Sequence, residues 1–124
     1  MVKSRILIVD ESSDVAVRFK PALTEEGFEV NVVHSLHEAF HSAKNSKPDI
    51  ILVNDVFHKH SGYEICSELR GETDTCYAEI ILFLPVVDSA AGRHASEVGI
   101  NEVMLKSARP KELIERLHAM LDKR

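Results

Sequence analysis

Three stretches of this chain combine residue types and spacing that could do chemistry. The first is Asn54-Asp55, a polar pair that abruptly ends the apolar run Ile50 to Val53. A short unbroken apolar run suits a strand buried on both faces, and in an open parallel sheet ligands gather at the carboxyl ends of such strands. The pair therefore stands where chemistry is expected. The second stretch, His37-Glu38-Ala39-Phe40-His41, fits H-E-x-x-H, which on a helix sets two histidines one turn apart beside a glutamate base and would make a zinc hydrolase site. The third, His58-Lys59-His60, could bind metal with Asp55, sense pH or present charge to a partner; a solvated loop is the plainer alternative.

The elements that must position these residues follow from pattern. Residues 5 to 9 read as strand one, followed by the polar cluster Asp10, Glu11, Ser12, Ser13 and Asp14. A serine cap then leads into helix one, with Val15, Phe19 and Ala22/Leu23 at helical spacing and Pro21 expected to kink or shorten it. Gly27 ends that helix, and Phe28 to Val33 form strand two. Ser35 and Glu38 make a capping box for helix two, whose inward face is Leu36, Phe40 and Ala43. Glu38 is thereby accounted for without zinc, and no third ligand follows at a metalloprotease spacing. After strand three, helix three spans Tyr63 to Leu69 and strand four Ile80 to Leu84. Helix four runs from near Asp88 to Val98 with Gly99 as its stop, and Ile100 to Leu105 is strand five. Pro110 opens helix five, whose apolar stripe is Leu113, Ile114, Leu117 and Leu121. Strands alternating with helices in this way imply a parallel sheet covered on both faces, a doubly wound α/β/α sandwich.

At 124 residues the expectation is one domain, 1–124, with 44% hydrophobic and 28% charged residues. A net charge of −5 gives no global attraction to nucleic acid or anionic membrane, and the longest apolar run, Ile80 to Val87, is far too short to span a bilayer. Cys66 and Cys76 make no metal pattern and fit free thiols in a reducing cytoplasm. The chain has no glycine-rich phosphate loop to support a nucleotide site.

Several landmarks, in order, make the whole chain similar to the receiver domain of two-component response regulators. They are Asp10-Glu11 after strand one, Pro48-Asp49 before strand three, Gly62-Tyr63-Glu64 opening helix three, and Lys106 after strand five. The resemblance implies a flavodoxin-like sheet of order 2-1-3-4-5. It also implies an aspartate at the end of strand three that takes a phosphoryl group from a histidine kinase. In the family that aspartate and the acidic pair hold Mg²⁺, while the lysine contacts the phosphoryl oxygens. A hydroxyl ending strand four closes on the phosphate and an aromatic on strand five follows it.

This sequence departs from that pattern at each moving part. The acceptor position, five residues after Asp49 and eight before Gly62, is Asn54. The hydroxyl position is Leu84, the aromatic position Val103, and Ser107 replaces the proline after the lysine. An amide is a poor nucleophile where a carboxylate can attack phosphorus, and it removes an anionic ligand that Mg²⁺ prefers. The expectation is a pseudo-receiver that is not an enzyme, requires no cofactor, binds Mg²⁺ weakly if at all through Asp10 and Glu11, and keeps Lys106 beside those two acids as a residual ion pair. It would act on a signalling partner, a histidine kinase or an output domain, without contacting nucleic acid or membrane itself. By resemblance the contact surface is helix four, strand five and helix five, around Arg93 to Lys106 and Lys111 to Lys123; dimerisation is left open. The alternative keeps phosphorylation, through Asp55 or a deamidated Asn54. Alternation along a strand opposes Asp55, because a slip of one residue turns a side chain to the other face.

Overall fold

The apolar runs become the strands. A computed structural model describes residues 3–123, so Met1, Val2 and Arg124 of the expected single domain lie outside the described residues. β1 is Arg5–Val9, β2 Glu29–Val33, β3 Ile50–Asn54, β4 Glu79–Leu84 and β5 Glu102–Leu105. They form one parallel sheet in the order β2-β1-β3-β4-β5. All five residues of the central β3 are buried, the burial expected of a strand covered on both faces.

Alternation divides the core into two layers. Leu7, Val9, Ile51, Val53, Ile80, Leu82 and Leu84 belong to one, with Ala39, Ile65, Leu69 and Ala95 from α2 (Leu36–Asn45), α3 (Gly62–Gly71) and α4 (Ser89–Val98). Ile6, Ile8, Ile50, Leu52, Ile81 and Phe83 belong to the other, under α1 (Asp14–Glu25) and α5 (Pro110–Asp122). Asn54 has the parity of Ile50 and Leu52, and Asp55 that of Ile51 and Val53. The two polar residues therefore leave the strand toward opposite layers.

Local departures from the sequence expectations have physical causes. α1 runs unbroken through Pro21 from Asp14 to Glu25. Pro21 is exposed, so water can satisfy the carbonyl that loses its donor. The serine at its start, Ser13, sits at φ 74° and makes no side-chain cap; Asp10 does that work instead, as described below. The α2 box is half formed. Ser35 Oγ accepts from the Glu38 amide at 3.1 Å, but Glu38 Oε1 accepts from the His34 amide, one residue before the cap. β2 and β5 begin one and two residues later than expected, leaving Phe28 and Ile100 as buried anchors in the preceding turns. At α3 the box is complete: Ser61 and Glu64 exchange hydrogen bonds, and the Ser61 amide and hydroxyl hold the Glu64 carboxyl below the usual carboxylate range.

Candidate functional site

The carboxyl edge of the sheet brings together β1, β3 and the segment after β5. Asp10 follows Val9, which lies beside Val53 in the β1–β3 register, so Asp10 and Asn54 emerge side by side. Asp10 is completely buried. A buried carboxylate needs its lone pairs filled, and four protein donors fill them. Oδ2 accepts from the Val15 amide at 2.7 Å and the Ala16 amide at 3.3 Å, capping the amino end of α1. Oδ1 accepts from Ser12 Oγ at 3.0 Å and from Asn54 Nδ2 at 2.9 Å. Asn54 Nδ2 also donates to Ser12 Oγ at 3.1 Å, and Asn54 Oδ1 accepts from the Asp55 amide at 2.9 Å.

Asp55 faces elsewhere. Its Oδ1 is sealed from solvent and accepts no hydrogen bond of standard geometry, but it is ion-paired with Lys106 Nζ. That corrects the expectation for Lys106, which stands on Asp55 and not beside Asp10 and Glu11. The physical reason is charge: position 54 offers the ammonium a neutral amide, whereas the adjacent Asp55 offers it a carboxylate. Arg18 on α1 holds the segment that follows, its Nε donating to Ala108 O and its Nη2 to Ser107 O, both at 2.7 Å. Glu11 is likewise committed, Oε1 accepting from the His58 amide at 2.7 Å. Leu84 and Val103, where the receiver pattern has its hydroxyl and its aromatic, lie in the apolar layer.

The donor set does not fit Mg²⁺ as arranged. Such an ion takes oxygen ligands in near-octahedral geometry, whereas Asn54 turns its N–H groups to the pocket, Asp10 is saturated, and Glu11 gives one of its oxygens to a loop amide. Among the described residues no group of three or more His, Cys, Asp or Glu side chains is placed to hold a metal ion. His37 and His41 are exposed and line a shallow surface groove with Val33, Glu38 and Ser42, where Glu38 is tied to the His34 amide. His58, Lys59 and His60 form an exposed loop, with His60 Nδ1 3.6 Å from Glu64 Oε2. Sequence reasoning missed Ser12 and Arg18. Ser12 lies two residues after Asp10 within the polar cluster, whereas nothing local signals that Arg18 will grip carbonyls some ninety residues away.

Residues 6–118 match the family model described as the response regulator receiver domain. The chain belongs to that family. Among relatives, the receiver domain is 27% identical over 120 residues to the DNA-binding response regulator MtrA of Mycolicibacterium paratuberculosis, covering 97% of this chain and 52% of that protein. It is 29% identical over 119 residues to the probable transcriptional regulator ycf27 of Porphyra purpurea, covering 96% and 48%. The receiver domain thus spans about half the length of these relatives. Among solved structures, a putative response regulator from Chloroflexus aurantiacus matches with TM-score 0.86 at 26% identity, covering 98% of this chain and 99% of that one. The chemotaxis response regulator CheY4 of Vibrio cholerae matches in fold with TM-score 0.84 at 19% identity, covering 95% and 98%. No described helix is long and apolar enough to cross a membrane.

Proposed function

We propose that this receiver domain is a pseudo-receiver, a binding module of two-component signalling that holds one conformation without accepting a phosphoryl group. The observation that carries this reading is the 2.9 Å hydrogen bond from Asn54 Nδ2 to Asp10 Oδ1. At the acceptor position stands a neutral amide, and its N–H answers the buried acid that a cation would otherwise answer. Mg²⁺ then adds little, and no turnover is expected. Leu84 cannot donate to a phosphate, so the strand-four closure also lacks its donor. The partner is a signalling protein, a kinase or an output domain, engaged through α4, β5 and α5. Whether that output is DNA binding, as the printed name of MtrA has it for that protein, depends on what the domain is joined to or recruits.

One observation favours a second reading. Asp55 is a carboxylate beside Lys106, two of the groups that aspartyl phosphorylation uses in the receiver pattern. Against it, Oδ1 is sealed and the acids at 10 and 11 are engaged elsewhere. Intact-mass measurement after incubation with acetyl phosphate and Mg²⁺ separates the two. The expected result is unmodified protein. A phosphoryl adduct that disappears in Asp55→Asn would overturn the pseudo-receiver reading in favour of the second.

A further inference from the structure

The segment that joins β5 to α5 lies in the surface that the reading above gives to the partner, and its sequence gives it little stiffness. Ser107 supplies none of the rigidity of a proline, and β5 is a four-residue edge strand with β4 as its single sheet neighbour. Yet Leu105 and Ala108 from this stretch and Glu112 from the first turn of α5 line a surface groove together with Val87 and Val103. Whatever fixes the segment therefore fixes the shape offered to a partner.

Main-chain bonds shape the turn. The Lys106 amide donates to Leu84 O at 2.9 Å, the Ala108 amide to Leu105 O at 3.0 Å and the Glu112 amide to Arg109 O at 2.9 Å. All three stay within β4 and the segment itself. Two side chains reach further: Arg18 comes from α1 to the carbonyls of Ser107 and Ala108, and Lys106 goes out to Asp55 at the end of β3. The Lys106–Asp55 pair is largely withdrawn from water, its side chains 28% and 18% exposed, and Asp55 Oδ1 is sealed. An ion pair at that depth is screened less than a surface pair, and removing the ammonium leaves a covered carboxylate oxygen unanswered.

We propose that Asp55 is a positioning residue: through Lys106 it ties the β5–α5 segment to the centre of the sheet and holds the groove of the partner surface in a single shape. The tie needs no phosphoryl group, so it is present at all times. The inference deepens the pseudo-receiver reading by naming what keeps the conformation fixed, and it rests on that reading for the surface that a partner engages.

The experiment is amide hydrogen exchange, read by NMR on the ¹⁵N-labelled protein, comparing the parent with Asp55→Asn, Lys106→Met and the double variant. Asparagine keeps the outline of Asp55 and methionine much of the lysine stem, so each change removes charge more than volume. The Lys106, Ala108 and Glu112 amides are expected to exchange about five-fold faster in either single variant. The Gly62 amide donates to the main-chain oxygen of Asp55 at 2.8 Å and the Ile65 amide to Ser61 O at 3.1 Å, so neither depends on the Asp55 side chain and both should keep the parent rate. In the double variant Lys106→Met should add nothing once the carboxylate is gone. Parent rates at all three segment amides in Asp55→Asn, an equal acceleration at Gly62 and Ile65, or effects that multiply in the double variant would overturn the proposal. A phosphoryl adduct found by mass would overturn the pseudo-receiver reading without changing these rates, and unchanged rates would remove the tie without touching that reading.

Discussion

An asparagine and an aspartate have the same outline, yet at position 54 they demand opposite things of their neighbours. Asn54 offers two N–H donors, and the buried Asp10 carboxylate and Ser12 hydroxyl accept them. An aspartate there would point a second negative charge at a completely buried first one. Asn54→Asp is therefore expected to cost about 3 kcal/mol in EDTA, from one lost hydrogen bond to a charged group and the like-charge repulsion that replaces it. The same change supplies the hard oxygen ligand that the pocket lacks, so millimolar MgCl₂ should restore much of that loss. Urea denaturation of both proteins, with and without the ion, checks this. The parent midpoint should be the same in either condition, and a parent midpoint that rises with Mg²⁺ as much as the variant's would mean that the amide network is not what satisfies Asp10.

At the scale of elements, β1 and β3 were legible because each is an apolar run cut short by a polar residue, and the opposite facings of Asn54 and Asp55 followed from strand alternation alone. What the chain did not reveal was tertiary hydrogen bonding. Residue preference put a serine at the start of α1, but the cap comes from Asp10, which reaches the Val15 and Ala16 amides across a turn held by Ser13 at φ 74°. Lys106 was visible as a residue and its partner was not, since its position depends on a loop that Arg18 grips from another element. Arg70 is the clearest case of a signal absent from sequence. Its guanidinium donates to Gly99 O at 3.1 and 2.7 Å, to Cys76 O at 2.6 Å, to Ala78 O at 2.8 Å and to Asn101 Oδ1 at 3.0 Å. One side chain thus joins α3, the connection into β4 and the turn into β5, and all but one of its partners are main-chain carbonyls. Arg70→Ala leaves those carbonyls short of donors and is expected to destabilise the fold by about 2–4 kcal/mol, read as a lower denaturation midpoint at unchanged slope. Arg70→Lys should recover less than half of that, because an ammonium cannot reproduce the fork.

The whole molecule is two apolar layers on one sheet, and its cooperativity can be followed through a thiol. Cys66 lies in the α2–α4 layer with no exposed surface, packed with Ile65, Leu69 and Leu82, whereas Cys76 is exposed in the connection before β4. Burial pushes the Cys66 thiol up to about 12, with Arg70 pulling weakly the other way. The thiolate is the reactive form, so the folded protein should present one reactive cysteine and the unfolded chain two. A raised folded-state value means that the native state keeps its proton where the unfolded chain loses it. Stability from this group is therefore intact below the ordinary thiol range and declines as pH climbs from there toward about 12. Alkylation at pH 8 followed by intact mass should add one label in native buffer and two in denaturant, with the second label appearing in native buffer only at the rate of opening. Loss of Cys66 protection alongside the slowest-exchanging amides of β3 and β4 would show that both layers open together. Rapid native labelling of Cys66 would show instead that the α2–α4 layer opens by itself, and with it the ring stack of Tyr63 on α3 and His94 on α4.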